Sequence, residues 1–133
     1  MPPERRVPGT AAEWLRHARS DLALARVVRP AAVLPESLCF HAQQAAEKAL
    51  KAVLLSRAVA IPKTHSIGML LDILRDHLPI PHEIDDAAVL TDYAVWGRYP
   101  GDVEPVEEEE YSAAIRLAES VFEWAEQHVS TDR

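Results

Sequence analysis

The chain has 133 residues, a length suited to one domain with its own apolar core. Hydrophobic residues make up 48%, ordinary for a folded soluble protein. No apolar run nears the ~18 residues a membrane span needs, and a single cysteine, Cys39, excludes an intrachain disulfide and cannot make a zinc site alone. Cys39 reads as a small buried hydrophobe in a protein of a reducing cytoplasm, and the N-terminal residues lack the apolar core of a signal peptide.

The net charge of −7 conceals a polarity along the chain. Residues 1–66 carry ten Lys/Arg against five Asp/Glu, and residues 67–133 carry four against sixteen. Two arrangements fit. The basic half faces the acidic half inside the fold, or the first two helices present a basic surface.

Residues 1–9 hold three prolines, one glycine and no apolar period, and are expected to form a flexible arm before a domain over 10–129, with 130–133 as a tail. Thr10 and Glu13 form a capping box for a helix over 11–28, with the face Trp14, Leu15, Ala18, Leu22, Ala25, stopped by Pro30. Pro35 suits the first turn of a second helix that ends near Arg57.

This second helix is the centre of the reading. Its apolar positions are Leu38, Ala42, Ala45, Ala46, Ala49, Leu50, Val53 and Leu54. The alanines allow neighbouring helix axes to approach toward the close end of ~8–10 Å. Gln44, Glu47, Lys48 and Lys51 recur at i, i+3, i+4 and i+7, so they share a polar stripe on another face.

Thr64 or His65 is expected to open a third helix with the face Ile67, Leu70, Leu71, Leu74, Leu78. Pro79 and Pro81 stop it. A fourth helix is expected over 83–96, with acids in its first turn and Gly97 as its C-cap. A loop over 97–106 precedes a fifth helix that starts at Glu107–Glu110 and ends near His128, with Ala114, Leu117, Ala118, Val121, Phe122 and Ala125 inward. No strand pattern and no repeat occur. The expectation is an all-α, up-and-down four-helix bundle with an extra short helix.

Two loops carry candidate chemistry. In Arg98-Tyr99-Pro100-Gly101-Asp102, an Arg on a stiffened loop can bind phosphate or carboxylate through two parallel hydrogen bonds. It can equally pair with Asp102, Glu104 or Glu47. In Pro62-Lys63-Thr64-His65-Ser66, free N–H groups at a helix start attract anions, and His65 sits among them. The plain alternative is N-capping by Thr64 with His65 packed. No phosphate-binding glycine loop and no serine nucleophile motif occur. None of the six histidines has metal-ligand spacing, so no metal and no cofactor are expected.

Four segments together resemble the HEPN domain family of the prokaryotic, minimal-nucleotidyltransferase-associated type. They are Trp14-Leu15 with Ala18, Asp21-Leu22 and Ala25; Gln43-Gln44-Ala45-Ala46-Glu47-Lys48-Ala49-Leu50-Lys51; Pro62-Lys63-Thr64-His65-Ser66-Ile67; and Arg98-Tyr99-Pro100. They occur in the family's order over residues 12–128. The resemblance implies a helical bundle that forms a homodimer and is encoded beside a small nucleotidyltransferase, as a toxin–antitoxin-like pair. Many such proteins are metal-independent RNases with an Arg and, four to six residues after it, a His. Here Arg98 can stand for the Arg, but the corresponding positions hold Val103, Glu104 and Pro105. The His-x-Tyr modification site that some members carry is also absent.

The resemblance therefore favours a regulatory or binding module over an enzyme, and the cytoplasm is its expected place by default. Its partners would be a second copy, a nucleotidyltransferase protein, and a nucleotide or RNA, with no membrane. The binding set is Arg98, Tyr99, Gln44, Glu47, Lys48, Lys51 and His65, with Tyr99 stacking on a base. The alternative is a divergent RNase in which Arg98 and His65 are the catalytic pair. Trp14, Trp96 and Trp124 are candidate dimer contacts.

Overall fold

The computed structural model describes residues 9–94 and 105–130. Thr10 opens helix α1 (Ala11–Ala25) through the expected capping box: its hydroxyl accepts from the Glu13 N–H at 3.1 Å, and Glu13 accepts from the Thr10 N–H at 2.9 Å. The helix stops three residues before the expected Val28. Val27 and Val28 have no surface to bury against, Val28 being 96% exposed, and Pro30 disfavours helical geometry at Arg29.

Helix α2 (Pro35–Ser56) has Pro35 in its first turn, where the missing N–H leaves no bond unmade. Its alanines and most of its leucines are enclosed. It packs along α1 on one side and α5 on the other, with the shorter elements against it as well. A run of alanines gives such a helix several contact faces at once, because no side chain holds its neighbours off. The helix ends in a Schellman arrangement. The Val59 N–H bonds to the Leu54 carbonyl at 2.9 Å, and the Ala58 N–H bonds to the Leu55 carbonyl at 3.0 Å. Ala58 sits at φ 60° in the left-handed region that glycine usually fills.

Helix α3 (Ile67–Arg75) buries Ile67, Leu70, Leu71 and Leu74, as its spacing predicts. Its cap differs. Ser66, rather than Thr64 or His65, accepts from the Met69 N–H at 3.1 Å, while the Thr64 hydroxyl accepts from the Ser66 N–H at 3.0 Å. The expected fourth helix is not continuous. One turn, α4 (His82–Asp85), passes into a 3₁₀ segment over Asp86–Tyr93. The buried residues there are Ile84, Ala87, Leu90 and Tyr93, a strict i, i+3 series. A 3₁₀ helix has three residues per turn and puts that series on one line. Trp96 and Gly97 lie outside the described residues.

Helix α5 (Glu108–Ser130) buries Tyr111, Ala114, Ala118, Val121, Phe122, Trp124 and Ala125. Leu117, expected inside, is half-buried. The Tyr111 hydroxyl donates to the Ala25 carbonyl at 3.0 Å, tying α5 to the end of α1, and Tyr93 donates to Glu110. Three ion pairs run along the same junction in antiparallel order: Arg19–Glu126, Arg26–Glu119 and Arg29–Glu108. Three arginines of the basic half thus face acids of the acidic half across this junction, while Lys48 and Lys51 pair with Asp21 and Glu47 of their own half. The result is an up-and-down bundle of α1, α2, α3 with the 3₁₀ segment, and α5 around one apolar core. No helix among the described residues is long and apolar enough to cross a membrane.

Candidate functional site

The expected polar stripe of α2 does not lie together in solvent. Lys48 leans toward α1, where its ammonium pairs with the Asp21 carboxylate at 2.7 Å. Glu47 and Lys51 turn inward, with side chains only 5% and 9% exposed, and pair at 2.7 Å. Gln43 joins them from one turn earlier, so the buried series is Gln43, Glu47, Lys51, each four residues apart. Gln44 is half-buried and donates to the Gln43 side-chain oxygen at 2.8 Å, which holds that amide in place.

The Glu47 carboxylate is the hub. It accepts from the Gln43 amide at 2.9 Å and from Lys51 at 2.7 Å, and the His65 Nδ1 lies 3.1 and 3.2 Å from its two oxygens. Burial alone would raise its pKa. The hydrogen bonds from Lys51 and Gln43, the Lys51 charge and the His65 bond together outweigh burial and hold it below the usual carboxylate value. The Gln43 amide also donates to the His65 carbonyl at 3.2 Å. His65 is therefore gripped at ring and backbone, yet its side chain stays 73% exposed. It is neither packed away nor free.

A second carboxylate repeats the pattern on the α1 side. Asp21 is buried, takes Lys48 on one oxygen, and lies 3.0 Å from the His41 Nδ1 on the other. Where α2 passes α1, the Lys51 ammonium stands 5.7 Å from the centre of the Trp14 ring, within cation–π range. Trp14 and Lys48 in turn line a cleft of about 440 Å³ with Gly9, Glu13, Arg16 and His17. That volume falls in the range of small-ligand sites. Arg16 and His17 are exposed there and have no ion-pair partner among the described residues. The Trp14 indole N–H is buried without a hydrogen-bond partner.

Of the sequence-derived set, Glu47, Lys51 and His65 meet directly. Lys48 belongs to the adjoining Asp21 pair, and Gln44 supports Gln43. Arg98 and Tyr99 lie outside the described residues. Trp124 is buried at 8% exposure, so it is not available as a dimer contact, and Trp14 is half-buried at the cleft. The stripe reading passed over Gln43, Asp21, His41, Arg16 and His17. The i, i+4 spacing of Gln43, Glu47 and Lys51 was a usable signal for the first. The others meet only through the crossing of α1 and α2, which no local spacing encodes. No group of three His, Cys, Asp or Glu side chains placed to hold a metal occurs among the described residues.

Comparison with solved structures gives close likeness. A protein from Thermus thermophilus, TT1696, is 33% identical with a TM-score of 0.75, over 89% of this chain and 97% of that one. ST0689, described as an archaeal HEPN homologue, is 26% identical with a TM-score of 0.73, over 92% of this chain and 99% of that one. No curated protein matches. The HEPN domain model matches residues 11–128, nearly the whole described fold, and the chain belongs to the HEPN domain family.

Proposed function

We propose that this HEPN domain is a binding module for a phosphate-bearing ligand, a nucleotide or an RNA strand, and that it works with a nucleotidyltransferase partner in a toxin–antitoxin-like system. The observation that carries the reading is the cleft that Arg16, His17 and Lys48 line together with Trp14. The Arg16 guanidinium, which has no ion-pair partner among the described residues, draws the phosphate, and an indole offers a stacking surface for a base. Glu13, also in the lining, offers an acceptor for the amino groups of a base. Membership of the family supports the partner. A homodimer, with Arg98 and Tyr99 added to the binding surface, belongs to the same proposal.

The test is titration of nucleotides and short RNA at several salt concentrations. Arg16→Ala is expected to weaken binding and to reduce the salt slope by about one. Arg98→Ala, measured beside it, reports whether the loop residue shares the site. Wild-type protein that binds neither ligand, or Arg16→Ala with unchanged affinity and slope, would refute the site. One observation favours a second reading, the divergent RNase: the carboxylate-held imidazole of His65. Loss of cleavage in His65→Ala with binding retained would move the assignment to an enzyme.

A further inference from the structure

Glu13 lines the cleft together with Arg16, His17 and Lys48, and among the described residues it forms an ion pair with none of them. Arg16 and His17 stand three and four residues after it, the spacing at which a helix surface joins opposite charges. The reason is local. The carboxylate is turned back to the start of α1, where its Oε1 accepts from the Thr10 N–H at 2.9 Å. That bond uses only one of the several acceptor positions a carboxylate offers. Oε2 has no hydrogen-bond partner among the described residues. Gly9 makes room for this placement, because a Cβ there would stand 2.6 Å from the Glu13 Oε1. An acid is thus held in the lining of a cleft whose other charged side chains are basic.

Such an acid repels a phosphate, so it serves a nucleotide only through the base. An ionised carboxylate accepts and never donates. Among the four RNA bases, guanine alone carries two neighbouring donors on its Watson–Crick edge, N1–H and the 2-amino group. Adenine and cytosine set a ring acceptor beside their amino group, and uracil flanks its one N–H with two carbonyls. Each of those three presents a lone pair to the second carboxylate oxygen, whereas guanine satisfies both. We propose that Glu13 reads this donor pair, so that the cleft selects a guanine nucleotide, with Trp14 against the base and Arg16 on the phosphate. The inference rests on the phosphate-ligand reading above and names the base that site takes. A free nucleotide and a guanosine within an RNA strand share this chemistry.

The experiment titrates the full chain with GMP, IMP and AMP, and with two RNA single strands of about six nucleotides, one holding a guanine where the other holds an adenine. The wild type is expected to prefer GMP over AMP by about 10-fold, the worth of one or two hydrogen bonds to a charged acceptor. IMP keeps N1–H but lacks the 2-amino group, and falls between them. Glu13→Gln keeps the helix cap, since glutamine also fits that position, but sets an amide donor against the donors of guanine. GMP and AMP then bind alike. Gly9→Ala keeps the charge and displaces the carboxylate, and its preference falls between those of the wild type and Glu13→Gln. A guanine preference confined to the strands, or to the mononucleotides, upholds the inference and identifies which form the cleft takes. If Glu13 serves only the cap, Glu13→Gln leaves the GMP-to-AMP ratio at its wild-type value, and that result overturns the inference. Guanine and adenine ligands bound alike by the wild type in both forms, still weakened by Arg16→Ala, overturn it while leaving the phosphate reading intact. Binding of none of them overturns both.

Discussion

Removing Glu47 tests whether the polar hub is held together by its charges. Glu47→Ala leaves the Lys51 ammonium, whose side chain is 9% exposed, without its carboxylate. It also takes one acceptor from Gln43 and the ring partner from His65. Breaking a buried ion pair by deleting one member costs about 3–5 kcal/mol. The Trp14 ring still faces Lys51, and the long stem lets the ammonium reach toward water, so the lower end applies, about 3 kcal/mol. For a chain of this size that is a melting shift of about 10 °C. Urea unfolding followed by circular dichroism at neutral pH measures it. The paired replacement Glu47→Leu with Lys51→Met removes both charges, and its stability is expected within about 1 kcal/mol of the wild type. A single mutant that loses under ~1 kcal/mol, or a double mutant that falls as far as the single, would refute the argument.

Two further outcomes are expected. Ala58→Gly relieves a left-handed alanine and should stabilise the fold by about 0.5–1 kcal/mol, whereas alanine-to-glycine changes inside helices destabilise; a drop in urea midpoint would contradict the Schellman assignment. Glu47 has its pKa below the ordinary value of 4.5 in the fold, so its contribution is complete above 4.5 and is lost as pH falls through the folded value. A series of urea midpoints taken down through that window should fall more steeply for the wild type than for Glu47→Gln, and parallel curves would remove Glu47 as the cause.

Particular residues show how much was legible beforehand. The α1 cap was readable because Thr10 and Glu13 interact within one turn. The buried faces of α3 and α5 were readable from their spacing, and the core of α2 from its alanines. The 3₁₀ segment was misread because Ile84, Ala87, Leu90 and Tyr93 satisfy a loose helical pattern as well as a strict three-residue one. The polar stripe was half right. A helical wheel gives the angle of Glu47 and Lys48 about the axis, but not which neighbour stands at each angle. Lys48 meets α1, and Glu47 meets the loop that carries His65. The pairing of Asp21 with His41 and Lys48 follows from the register between two helices, which is a tertiary property.

The stop at Ala58 works as a ruler for the loop beyond it. The chain reverses direction there, and residues 59–66 run back beside the helix they have just left. Glu47 lies ten residues before Arg57, about 15 Å at the rise of an α-helix. That distance is what the returning segment has to span before His65 comes level with its anchor. Adding or deleting one helical turn between Leu50 and Arg57 would displace the reversal by about 5 Å. The imidazole would then miss Glu47 while every apolar layer upstream stayed where it is.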